Sequence, residues 1–202
     1  MIKRKINSKI AELVGILLGD GYIDRKSKRI KISFNSRDDK EYLFYVKQLI
    51  REIFDIDPII KFRTNENTAE LFIFNKKITE FLTQKIGLKF SPKWSNAVIP
   101  KEFTSKNLSR HVIRGYFDTD GCLVTTNNNG TIYPRLEMKI CPSPMQNQFI
   151  DILNKYDFKF GIYQIGRGKV RIQLNGKNQL KKWIKLIYFS NQKHMDKIKR
   201  FI

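Results

Sequence analysis

Spacing of the apolar residues divides the chain into short helices and alternating strands, in an order that occurs twice. A mostly apolar run predicts a first helix from about Ser8 to Asp20, and Tyr22 to Lys28 reads as a strand and turn. Arg29, Lys31, Ser33 and Asn35 then alternate strictly with Ile30, Ile32 and Phe34, which describes a strand with one dry and one wet face. Ser36 and Asp39 resemble a capping box ahead of Leu43, Val46, Leu49, Ile50 and Ile53, whose helical spacing extends to about Phe54. Beyond Pro58, Ile59 to Arg63 and Glu70 to Asn75 read as a hairpin. A helix from Lys76 to about Ile86 ends at Gly87, and 88–106, with Pro92 and Pro100, forms a connector.

The second half follows the same course. A helix ending at Asp120 leads to a hairpin of Gly121 to Thr126 and Ile132 to Ile140, in which Arg135, Glu137 and Lys139 alternate with apolar residues. Pro142 and Pro144 open a helix to about Tyr156. Phe160 to Ile165 pairs with Lys169 to Asn175 across Gly166-Arg167-Gly168, and a helix through Leu180, Trp183 and Ile187 precedes a basic, helical tail. Asp20 and Asp120, Asn75 and Asn175, and Lys93 and Lys193 share an offset of 100 residues, the mark of an internal duplication. The predicted fold class is α+β: two pseudo-symmetric αββαββα halves, 1–100 and 101–202, each with an antiparallel sheet whose polar face is basic.

Chemistry concentrates where the two copies of one stretch end. Leu13-Val14-Gly15-Ile16-Leu17-Leu18-Gly19-Asp20-Gly21 is echoed by Ile113-Arg114-Gly115-Tyr116-Phe117-Asp118-Thr119-Asp120-Gly121. Gly15 and Gly19, like Gly115 and Thr119, share one helix face, and small residues there invite close approach of a second helix. Packing of the two copies through these faces brings Asp20 and Asp120 to the same end of the pair. Two carboxylates at one place repel unless a cation lies between them. With the Gly19 and Thr119 carbonyls they make an oxygen-only donor set that suits Mg²⁺.

These paired stretches resemble the signature motifs of the LAGLIDADG homing endonucleases, and the resemblance extends across nearly the full chain. It implies two antiparallel sheets forming a DNA-binding saddle, with a staggered double-strand cut across the minor groove of a long site. Asp20 and Asp120 would be catalytic metal ligands, and Lys93 and Lys193 catalytic basic residues near the water and phosphate. Mn²⁺ would substitute for Mg²⁺, and Ca²⁺ would bind without supporting cleavage. Asn35 matches a polar position near the scissile region, its counterpart being Cys141. Asp118 has no acidic counterpart, because Leu18 stands at the equivalent place in the first copy, and it is read as a structural or hydrogen-bonding residue rather than a third ligand. A motif in each half predicts a monomer.

Composition agrees with a nucleic-acid partner. The 202 residues carry 39 Lys and Arg against 19 Asp and Glu, a net charge of +20 that calls for a polyanion. The residues placed to meet double-stranded DNA are Arg29, Lys31, Ser33, Asn35, Lys61, Arg63 and Glu70 in the first half. In the second they are Arg135, Glu137, Lys139, Gln164, Arg167, Lys169, Arg171 and Gln173. The same saddle would serve a maturase binding intron RNA, or a DNA-binding regulator that does not cut. Two cysteines, Cys122 and Cys141, offer neither a disulfide framework nor a zinc spacing, so an intracellular setting is expected. The basic opening Met1 to Lys5 imitates a signal peptide, but Glu12 and Asp20 interrupt the apolar run, and no membrane span is expected. Asp120 with Glu137-Met138-Lys139 mimics a restriction-type D…E-x-K set, in which the acid belongs on a strand rather than at a helix end. His111 and His194 are too isolated for a histidine-metal nuclease.

Overall fold

The computed structural model describes residues 4–201, so the first three residues of the signal-like opening lie outside the described residues. Helix α1 (Ser8–Leu18) starts where Asn7 Oδ1 accepts the Ile10 N–H at 3.0 Å. Its pseudo-equivalent α4 (Lys106–Asp120) begins after Ser105. The two end differently: α1 stops at Leu18, leaving Asp20 in the turn beyond, whereas α4 runs through Asp120.

Each motif helix feeds a four-stranded antiparallel sheet. The first has the order β1 (Gly21–Ile23), β2 (Arg29–Asn35), β4 (Thr68–Phe74), β3 (Ile59–Phe62). The second repeats it as β5 (Gly121–Asn128), β6 (Thr131–Ile140), β8 (Val170–Asn175), β7 (Gly161–Gln164). Helices α2 (Lys40–Phe54) and α3 (Lys76–Glu80) belong to the first half, and α5 (Met145–Lys155) and α6 (Lys177–Leu186) to the second. Helix α7 (Gln192–Ile198) follows. The alternation read from sequence sets the faces: Ile30, Ile32, Phe34, Leu71 and Ile73 are buried with Leu43, Val46 and Ile50 of α2. Leu136, Met138, Ile140, Ile172 and Leu174 are buried with Phe149 and Leu153 of α5. This is the expected pseudo-symmetric α+β fold, with one face of each sheet against helices and the other open.

Four local expectations change. Asp39 precedes α2 without capping it; the turn is built instead by Asn35, whose Oδ1 accepts the Arg37 and Asp38 N–H groups at 2.9 and 3.1 Å. The helix expected from Lys76 to Ile86 is helical only to Glu80 and then widens to a π turn, Phe81–Lys85, before Gly87 at φ +92°. The second hairpin is longer than expected because Asn129 and Gly130, at φ +49° and +82°, form a two-residue turn that lets Asn128 pair with Thr131. The offset of 100 also fails locally: Arg29 faces Phe74 and Arg135 faces Asn175, so Asn175 lies in β8 and Gly176 takes the N-cap place that Asn75 holds before α3.

Candidate active site

The contact between α1 and α4 is set by glycine. A Cβ placed on Gly15 would lie 2.1 Å from the Val112 carbonyl oxygen, and one on Gly115 would lie 2.2 Å from the Glu12 carbonyl oxygen. Residues 12 and 115 therefore make the same contact as 112 and 15, about a pseudo-twofold axis. One turn on, a Cβ on Gly19 would lie 2.1 Å from Thr119 Oγ1 and 3.1 Å from Asp120 Oδ2. The Asp120 carboxylate thus rests against the residue next to Asp20, and both acids emerge together at the C-terminal ends of the helices.

Neither carboxylate has a hydrogen bond or ion pair among the described residues, and each touches solvent. The protein packed around them nonetheless disfavours charge. That crowding, with the neighbouring Asp20, pushes Asp120 up to about 7 against the pull of Lys93. Asp20 is raised by crowding and by Asp39, and drawn down by Lys93 and Lys193. Lys93 comes from the connector and donates to the Leu17 carbonyl, to Gly19 O at 3.0 Å and to Gly21 O at 2.6 Å, capping the end of α1. Burial lowers its ammonium to about 8 although both aspartates favour its charge. The donor set fits a hard divalent cation: two adjacent, unpartnered carboxylates with the Thr119 and Gly19 carbonyls beside them. Among the described residues no cluster of three or more His, Cys, Asp or Glu accompanies them. A cation at Gly19 O competes with Lys93.

Lys193 is placed differently from Lys93. Its Nζ pairs with Asp39 Oδ1 at 2.7 Å, and Asn191 Nδ2 donates to the same oxygen at 2.7 Å and to the Asp118 carbonyl at 3.0 Å. Ser190 N–H donates to Asp118 Oδ2 at 2.7 Å and its hydroxyl donates to Glu12 Oε1 at 2.6 Å, while Arg114 pairs with the other oxygen of Glu12. The segment 190–193 of the second half is thereby tied to α1, α4 and the start of α2. Asp118 is buried within this lattice, which raises its carboxyl well above the usual range. It is a structural residue, as expected. Sequence reasoning missed Glu12, Asp39 and Asn191, because their partners lie 33 to 178 residues away; only a carboxylate on an apolar helix face hinted at Glu12.

Register places most of the predicted contact residues on the open faces. Lys31 and Arg63 converge on Glu70, at 2.9 Å and 3.0 Å, so these three form one cluster. Arg29, Ser33, Asn35 and Lys61 share their face. In the second sheet Arg135, Glu137, Lys139, Arg171 and Gln173 lie together; Gln173 Nε2 donates to Glu137 Oε1 at 2.9 Å and Arg135 pairs with that oxygen at 2.5 Å. Glu137 is thus engaged within the sheet by Gln173 and Arg135. Arg167 occupies the β7–β8 turn, and Lys169 lies over the exposed ring of Trp94 at 5.4 Å. Gln164 is a correction: it pairs with buried Val170 and so lies on the face opposite to Arg171, its neighbour Tyr163 taking the open side.

The model of the LAGLIDADG DNA endonuclease family matches residues 10–182. The fold is similar to that of the homing endonuclease I-WcaI bound to its DNA recognition sequence, with a TM-score of 0.66 and 16% identity over 96% of this chain and 87% of that one. It is also similar to I-DmoI in complex with DNA and Mn, at 0.62 and 15% over 91% and 98% of the two chains. In sequence, 116 residues are 34% identical to part of the replication factor C small subunit of Methanocaldococcus jannaschii, a stretch that is 57% of this chain and 6% of that protein. The matched family model spans both motif helices and both sheets, and the chain belongs to the LAGLIDADG DNA endonuclease family.

Proposed function

We propose that the chain is a metal-dependent, site-specific double-strand DNA endonuclease that hydrolyses one phosphodiester in each strand of a long site, leaving a staggered cut. The observation that carries this is the juxtaposition of Asp20 and Asp120 at the glycine-packed crossing of α1 and α4. Two close carboxylates facing a polyanion gain nothing for binding alone. The halves, 1–100 and 101–202, each contribute one acid and one sheet, so a single copy supplies a whole site and the protein acts as a monomer. A bound Mg²⁺, or Mn²⁺ in its place, supplies a nucleophilic water and neutralises charge on the phosphate, whereas Ca²⁺ supports binding only. Asp20 and Asp120, with the Thr119 and Gly19 carbonyls, hold it. Lys93 keeps a positive charge beside both acids, and Lys193 does so on the Asp20 side through Asp39. The two centres are therefore unequal.

The test is cleavage of a duplex enriched from a random pool by binding to this chain. With Mg²⁺ the protein should cut both strands, and Asp20→Asn and Asp120→Asn should each bind but lose more than about 100-fold in cleavage rate. Unchanged cutting by both variants would remove these residues from the reaction. One observation favours a second reading: Lys93 already holds the Gly19 carbonyl. Binding with no cutting in Mg²⁺ or Mn²⁺ would make the protein a DNA-binding regulator, and assistance to splicing of an intron RNA would make it a maturase.

A further inference from the structure

The two open sheet faces share a register but differ in chemistry. Across the first sheet one row reads Tyr22, Lys31, Phe72, Ile59. The corresponding row of the second reads Cys122, Glu137, Gln173, Gly161. One step along, Phe74 lies opposite Arg29, where the second sheet sets Asn175 opposite Arg135. At these four positions large apolar side chains of the first half are answered by cysteine, glutamine, glycine and asparagine, while the second face sets one exposed ring, Tyr163 beneath Arg171, where the first has Lys61.

Tyr22, Ile59 and Phe74 are 40%, 51% and 59% exposed, and Phe72 stacks against Phe74 with centroids 5.6 Å apart. Arg29 and Lys61 lie over the Phe72 ring at 5.6 and 5.7 Å, and Lys31 lies 6.0 Å from the Tyr22 ring. The result is an apolar island inside a cationic rim. Grouped apolar side chains are seldom left in water without a partner, and the rim selects a polyanion as that partner. At the base edges of the major groove the one apolar group is the C5-methyl of a pyrimidine.

Resting on the endonuclease reading above, we propose that the first-half sheet reads pyrimidine C5-methyl groups through Phe74, Ile59 and Tyr22, while the second-half sheet reads hydrogen-bonding edges. The recognition site is then lopsided, with thymines concentrated under residues 21–74.

The experiment uses the full chain and duplexes enriched from a random pool. Each enriched thymine is replaced in turn by uracil, cytosine and 5-methylcytosine, and binding is measured. Uracil should weaken binding about fourfold per methyl removed at two or three positions confined to one half of the site. 5-Methylcytosine should bind better than cytosine at those positions, and thymine better than either. In the Phe74→Ser, Ile59→Ser double variant, with an unchanged thermal melt, the uracil penalty should survive at no more than the one position read by Tyr22. Uracil that costs nothing, or a penalty undiminished at every position in the double variant, overturns the inference and leaves the endonuclease reading standing. A double variant that abolishes self-association of the chain without altering the uracil effect assigns this face to a second copy instead. Failure to enrich any sequence overturns both readings.

Discussion

His194 is fully buried between Phe117 and Phe189, with ring centroids 5.1 and 5.4 Å away, and neither ring nitrogen has a hydrogen-bond partner among the described residues. Burial, with the charges of Lys193 and Lys197, pushes its imidazolium down to about 3. The folded chain therefore holds it neutral while the unfolded chain protonates it near pH 6.5. Its contribution to stability is intact above that value and is lost as pH falls from about 6.5 towards 3. His194→Phe should remove about 2 kcal/mol of the stability lost between pH 7 and pH 5, as measured by urea unfolding at both pH values. His111, lowered to about 4 by burial, keeps some of the slope in the variant. A full slope in His194→Phe would contradict the account. From the sequence His194 was legible only as an isolated histidine, since Phe117, one of the two rings that bury it, belongs to α4, far away in the chain.

At the scale of elements, the crossing of α1 and α4 was legible because glycine four residues before the terminal small residue has few uses on an apolar helix. Its tightness was not, since a spacing cannot say that a Cβ would meet a carbonyl oxygen at 2.2 Å. That distance decides the sign of a substitution. Gly115→Ala gains about 1 kcal/mol in helix propensity. It also drives a methyl into the backbone of α1, and overpacking against atoms that cannot rotate away costs about 3 kcal/mol or more. Thermal unfolding should show a net loss of about 2 kcal/mol. Cleavage should fall by about 100-fold, because separating the helices also separates Asp20 from Asp120. A variant more stable than the parent would mean that the helices do not touch there. The break of the repeat at Asn175 belongs to this scale too: strand pairing shifts one half by a residue, and a sequence alignment on asparagine cannot see a register.

For the whole molecule, charge carries the argument. The duplication, the sheets and the basic faces were readable because period-two alternation survives in β2, the second part of β6 and β8; the lattice of Glu12, Asp39, Asn191 and Lys193 was not, because nothing local requires it. That lattice and the Glu70 cluster divide the cations into two kinds. Lys31 and Arg63 are held by buried Glu70, whereas Lys61 has no carboxylate partner among the described residues. Held cations point at a fixed place and suit base edges, and free ones suit phosphates. If six to ten phosphates are neutralised, log K should fall against log salt with a slope of about −5 to −9. Lys61→Gln should make that slope shallower by about 0.9 and weaken all duplexes alike. Glu70→Gln should do the opposite: freed from their anchor, Lys31 and Arg63 turn to phosphates, so binding to unrelated duplexes strengthens, its slope steepens, and the preference for the enriched site shrinks. Filter binding on enriched and scrambled duplexes from 50 to 200 mM salt reads all of these, and an unchanged preference in Glu70→Gln would show that the cluster serves the fold and not recognition.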